Sequence, residues 1–203
     1  MSGIEEKQKK INTICAEGHL NELQNLVSAM ECTQDEIRFC HDTPISLACE
    51  HGHLDIVKYI IENFEFNHQT ELKYVFEQAC GWGHLDIVKY LVDLLKYKTC
   101  DITSYALQYA CWNGQFEVVS WLIWKFEIDF DDLFSQSFQW KIISKKRINI
   151  VSWFVRKCTI HCEKFEDFIN HLEKSHNVFY NAIMEDVAKE RIIEDELVMV
   201  KQY

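Results

Sequence analysis

Apolar positions along this chain come in short bursts at helical spacing, not in strict alternation. Leu54, Ile56, Val57, Ile60 and Ile61 share one face of a 3.6-residue period. The same arrangement returns over residues 85–92 and 116–123. A short polar turn with a glycine precedes each burst: Cys15-Ala-Glu-Gly-His-Leu20, Cys49-Glu-His-Gly-His-Leu54, Cys80-Gly-Trp-Gly-His-Leu85 and Cys111-Trp-Asn-Gly-Gln-Phe116. These four strings align without gaps, and their glycines (Gly18, Gly52, Gly83 and Gly114) are 34, 31 and 31 residues apart. A weaker fifth copy, residues 148–155, follows 32 residues after the fourth and has Lys146 at the glycine place. A near-constant step of this length marks a repeat array.

The second copy shows what one unit contains. Thr43 and Pro44 make a helix start, with a capping hydroxyl followed by a residue that lacks the N–H a first turn cannot use. The small pair Ala48-Cys49 permits close approach to a neighbour, and Gly52 can take the positive φ of a tight turn. The second helix starts near His53-Leu54, and Asp55 in its first turn complements the dipole. Each unit is thus predicted as two short antiparallel helices and a connector. One pair cannot bury its own apolar face, so neighbouring pairs must stack. The expected fold is all-α: a solenoid of four to five such helix-turn-helix units, closed by a C-terminal helical cap. The array is assigned to residues 1–160, with units at about 9–38, 40–70, 71–102, 103–133 and 137–160. The cap is assigned to residues 161–203, where Phe165, Phe168, Ile169 and Leu172 fit one helical face and a second helix runs from Phe179 through Val198.

Composition narrows the functions open to such an array. One proline and six glycines argue against a turn-rich all-β chain. With 32 acidic and 21 basic residues the net charge is −11, which argues against a general nucleic-acid binder, since phosphate neutralisation needs clustered Lys and Arg. No apolar run is long enough to cross a membrane, and residues 1–10 lack the apolar segment of a signal peptide. Nine cysteines, an odd number without an export signal, fit free thiols in a reducing compartment, and a cytoplasmic location is expected.

The string Thr43-Pro-Ile-Ser-Leu-Ala-Cys-Glu-His-Gly-His-Leu-Asp-Ile-Val-Lys-Tyr-Ile-Ile resembles the ankyrin repeat, about 33 residues long. The resemblance is specific over residues 40–125 and weaker over 9–38 and 137–160. Ser46 stands where the family usually has His, and the third and fourth copies lack the Thr-Pro start. The connectors lack the family's Gly-Ala-Asp turn, so projecting β-hairpin fingers and plain loops both remain open. Strings such as Tyr105-Ala-Leu-Gln-Tyr-Ala-Cys-Trp-Asn-Gly are similar to repeats of ankyrin proteins from giant DNA viruses and some protists, which would place the chain in a host cytoplasm. The family presents variable side chains at the ends of its inner helices to a concave groove. By that resemblance Leu47, Gln78, Tyr109 and Lys141 share one groove position. Glu50, Gly81, Trp112 and Ser144 share a second, and His51, Trp82, Asn113 and Lys145 a third. A groove carrying Trp82, Tyr109 and Trp112 with His51, Gln78 and Asn113 has the composition of a protein-binding hot spot; the same rings could simply cover helix ends.

Other chemistry is weaker. Cys49, Cys80 and Cys111 recur at one repeat position. Stacked helices put such positions about 10 Å apart, too far for a disulfide, whose Cα atoms lie within about 7 Å. They read as packing. Cys158, Cys162, His171 and His176 have the ligand types of a structural zinc site, but Cys158 also falls on an apolar position of the repeat, opposite Phe64, Leu95 and Phe126. His19, His53 and His84 are expected to bond backbone in the turn. No Gly-rich phosphate loop, nucleophile elbow or His-Glu-x-x-His helix is present. A non-catalytic, monomeric module without cofactor that binds another protein is the expectation; an adaptor whose C-terminal segment recruits a second protein is the alternative, beside the zinc-stabilised module.

Overall fold

In the computed structural model of the chain, residues 3–29, 44–67, 70–98, 104–128, 148–157 and 163–200 are described. Among them are eleven α-helices and no β-strand. They are α1 (Gly3–Glu17), α2 (Leu20–Ser28), α3 (Pro44–His51), α4 (Leu54–Asn63), α5 (Glu71–Trp82), α6 (Leu85–Leu95), α7 (Ser104–Asn113), α8 (Phe116–Phe126), α9 (Ile148–Lys157), α10 (Glu163–Ser175) and α11 (Asn177–Val200). The fold is an all-α helical repeat of the solenoid class. The chain divides into two compact units, Met1–Ala110 and Cys111–Tyr203.

In the first unit the odd-numbered helices are the inner members of the repeats and pack in sequence: α1 on α3, and α3 on α5. Each pairs with its following helix, as α1 with α2, α3 with α4 and α5 with α6. The inner contact is made by the rungs the repeat predicted: Ala48-Cys49 and Ala79-Cys80 are fully buried, as is Cys15. Outer helices contribute Ile56, Val57 and Ile60, then Ile87, Val88 and Leu91, all with no solvent exposure. Pro44 is the first residue of α3, while its expected cap Thr43 lies outside the described residues. Asp55 and Asp86 act locally: each Oδ1 accepts the next residue's N–H, from Ile56 and Ile87, at 2.9 Å.

The turn glycines adopt the left-handed conformation that favours glycine, Gly52 at φ +79°. That geometry lets the N–H groups after the helix reach back to carbonyls that the helix end leaves without partners. At the end of α3, His53 N donates to Ala48 O at 2.8 Å and Gly52 N to Cys49 O at 3.3 Å. Glu50 O is left over, and its partner comes from the next repeat, as described below.

In the second unit, Val118, Val119 and Leu122 of α8 and Ile150, Val151 and Phe154 of α9 are buried. Trp153 meets Phe116 edge to face, with ring centroids 5.8 Å apart. Both α9 and α10 pack on α11. Leu172 of α10 is buried, and α11 buries Phe179, Ile183 and Val187 at a spacing of four. The two C-terminal helices expected from the pattern are present; the side chains of Phe165 and Phe168 lie outside the described residues.

Candidate functional site on the inner-helix face

The first structural consequence of the repeat is a set of links between successive turns. His53 and His84 hold the N-cap places of α4 and α6, yet neither side chain caps its own helix. His53 Nε2 lies 2.8 Å from Ala16 O, and His84 Nε2 lies 2.8 Å from Glu50 O. A carbonyl can only accept, so both rings donate from Nε2. Ala16 O and Glu50 O are end-of-helix carbonyls of the preceding repeat. The expectation that these histidines bond backbone holds, with the partner one repeat earlier and not in the same turn. The rings rest against Gly18 and Gly52: a Cβ on Gly52 would stand 2.5 Å from His84 Nδ1, and one on Gly18 2.7 Å from His53 Nδ1. The turn glycine therefore serves the neighbour's ring as well as its own φ. His19, in the first copy, faces acids of its own turn instead, with Nδ1 3.5 Å from Glu17 and 3.8 Å from Glu22.

These links hold the inner helices that carry the predicted groove residues. In the first unit, His51 is exposed at the end of α3, with its ring 6.4 Å from that of His53. Gln78 is half-buried on α5, and Trp82 at the end of α5 is 41% exposed. Tyr109 of α7 is half-buried, and its ring occupies the space that a Cβ on Gly81 would need. Gly81 is thus not a turn residue; it lets an aromatic ring lie directly on the α5 backbone. Sequence reasoning missed Tyr105, which is 47% exposed and stacks on Tyr109 with ring centroids 5.9 Å apart and planes 24° from parallel. The i, i+4 spacing of the two tyrosines was the available signal. In the second unit, Trp112 is half-buried with its indole nitrogen inaccessible to solvent, and Asn113 is half-buried. Lys141, Ser144 and Lys145 lie outside the described residues.

A cleft of about 460 Å³ opens between α1 and α3, bounded by Glu5, Gln8, Lys9, Asn12 and Leu47 among others. Within it Gln8 Nε2 donates to Asn12 Oδ1 at 2.9 Å. Leu47 was an expected groove position; the polar face of α1 was not.

The described cysteines belong to the core: Cys15, Cys49, Cys80 and Cys111 are all buried. Burial pushes the Cys49, Cys80 and Cys111 thiols up from their ordinary range, and Glu77 pushes Cys80 further in the same direction. A thiol held neutral is a poor nucleophile and a poor metal ligand. The rings of His171 and His176 stand 6.1 Å apart. Cys158 and Cys162 lie outside the described residues, and among the described residues no group of three His, Cys, Asp or Glu side chains could hold a metal ion.

Stacked helix pairs, turn glycines with positive φ and side chains linking one turn to the next define a helical-repeat protein of the helix-turn-helix kind. The model of the family described as ankyrin repeats (3 copies) matches residues 11–104 and 74–132, together about three-fifths of the chain. The chain belongs to the ankyrin-repeat family. No curated protein matches it. Ankyrin repeats are generally protein–protein interaction modules and typically non-catalytic. No described helix is long and apolar enough to cross a membrane.

Proposed function

We propose that this protein is a non-catalytic module that takes a partner protein on the inner-helix face, through His51, Gln78, Trp82 and Tyr109 of the first unit and Trp112 and Asn113 of the second. One observation carries the reading. Tyr109 lies on a backbone kept bare by Gly81, with Tyr105 stacked on it and Trp82 next to that glycine, so large rings stand partly open on inner helices whose other side is fully buried. Full burial of a large side chain is worth about 1.5–3 kcal/mol, of which these partly open rings leave a portion for a partner to recover, and Trp and Tyr are the residues that dominate binding hot spots. In the same reading residues 1–160 form the repeat array, residues 161–203 cap it, and the protein acts as a cytoplasmic monomer.

Affinity capture with the full chain as bait tests the proposal. The double substitution Trp82→Ala with Trp112→Ala should abolish capture of the partner and leave the circular dichroism spectrum unchanged. Capture of the same partner at the same strength by the double variant would refute the groove assignment.

A further inference from the structure

The first unit shows what chemistry its inner face would accept. Residues 1–110 hold 17 acidic and 9 basic side chains, a net −8, whereas residues 111–203 hold 15 and 12. Among the inner helices α1 is balanced, with Glu5, Glu6 and Glu17 against Lys7, Lys9 and Lys10. The acidic excess lies on α3 and α5: half-buried Glu50 and Glu77 stand beside half-buried Lys73, while Glu71 already accepts the Asn67 N–H at 2.7 Å. The open rings of Trp82 and Tyr105 lie on the same helices, and Tyr105 is flat against Tyr109. Aromatic faces beside carboxylates attract cations, because the ring quadrupole and the carboxylate charge act in the same direction.

Resting on the groove reading above, we propose that the occupant of this face is an extended basic segment of a partner protein. Arginine or lysine side chains of that segment stack on Trp82 and Tyr105 and pair with Glu50 and Glu77. Four successive inner helices, α1 to α7, at about 10 Å each cover about 30 Å, which an extended chain at about 3.3 Å per residue crosses with about nine residues.

Selection of a random nonapeptide library displayed on phage against the full chain tests this. The enriched pool should gain arginine and lysine over the naive library. Recovery should fall roughly tenfold or more on Trp82→Ala and on Tyr105→Ala chains, both truncations of exposed rings. Trp124→Ala, which removes a ring 76% exposed on α8, should leave recovery unchanged. Glu50→Gln with Glu77→Gln should abolish the preference for basic residues while the dependence on Trp82 persists. A neutral or acidic pool that still needs Trp82 would overturn the basic-segment proposal and leave the groove reading standing. A pool indifferent to Trp82 and Tyr105, or no enrichment at all, would overturn the proposal, and indifference would overturn the groove reading with it.

Discussion

Replacing Gly52 by alanine tests the coupling between a turn and the next repeat. Three effects are superimposed. At φ +79° a residue with a Cβ is strained, at a cost of about 1–2 kcal/mol; the loss of chain entropy in the unfolded state returns about 0.4–1 kcal/mol of that. The new Cβ would stand 2.5 Å from His84 Nδ1 and 2.6 Å from Cε1, so the ring must retreat by most of an ångström. Retreat breaks the 2.8 Å bond from His84 Nε2 to Glu50 O and leaves a part-buried carbonyl unpaired, about 1–3 kcal/mol. The sum is about 1–5 kcal/mol. His84→Ala removes the bond and the ring together, about 1–3 kcal/mol. In the double variant the clash has no partner and the bond is lost only once, so the combined effect should fall short of the sum by about 1–3 kcal/mol. Urea unfolding followed by circular dichroism, with unchanged m-values, measures all four corners of the cycle. Additivity within about 0.5 kcal/mol would show that the ring is not seated against Gly52, and the inter-repeat link would then be wrong. Gly18 and His53 should give the same coupling. His84→Gln should retain part of the bond, since Gln115 holds the corresponding place in the fourth copy.

Two further outcomes follow from the same contacts. Gly81→Ala should lower stability by up to about 2 kcal/mol, because displacing the Tyr109 ring costs about 1–3 kcal/mol and the gain in helix propensity returns about 1 kcal/mol of that. It should also weaken partner capture, and a variant that keeps full capture with Tyr109 displaced would remove that ring from the site. Cys15, Cys49, Cys80 and Cys111 should resist Ellman's reagent in the native protein at pH 8 and react once it is unfolded. The raised thiols of Cys49, Cys80 and Cys111 stay protonated in the fold where an exposed cysteine begins to ionise, so raising the pH through the ordinary cysteine range favours the unfolded state. Residue-level labelling of any of the four faster than global unfolding would contradict their burial.

Much of the fold was legible because its signals are local. The glycine step located the turns, the spacing of Leu54 to Ile61 marked the buried face of an outer helix, and the Ala-Cys pairs marked the inner rungs. The glycine step depends on the repeat period and the other two on residues within about two turns of helix. Parts of the site were less legible. Gly81 looked like any residue at a variable groove position, and only the position of Tyr109 reveals why a side chain is missing there. Tyr105 falls at a helix-start position of the repeat, and its place in the site comes from a ring stacked one turn along, on Tyr109.

By itself, then, the sequence determined the period, the helix pairs, the turn glycines and which residues are core, since all of these follow from spacing and backbone conformation within about 33 residues. Tertiary structure alone decided which carbonyl each turn histidine satisfies, because partners 34 and 37 residues away are chosen by how one repeat stacks on the last. It also decided which rings stay open on the inner face. Helical periodicity says which side of a helix is apolar, but only the neighbour packed against that side determines how much of it remains exposed to water.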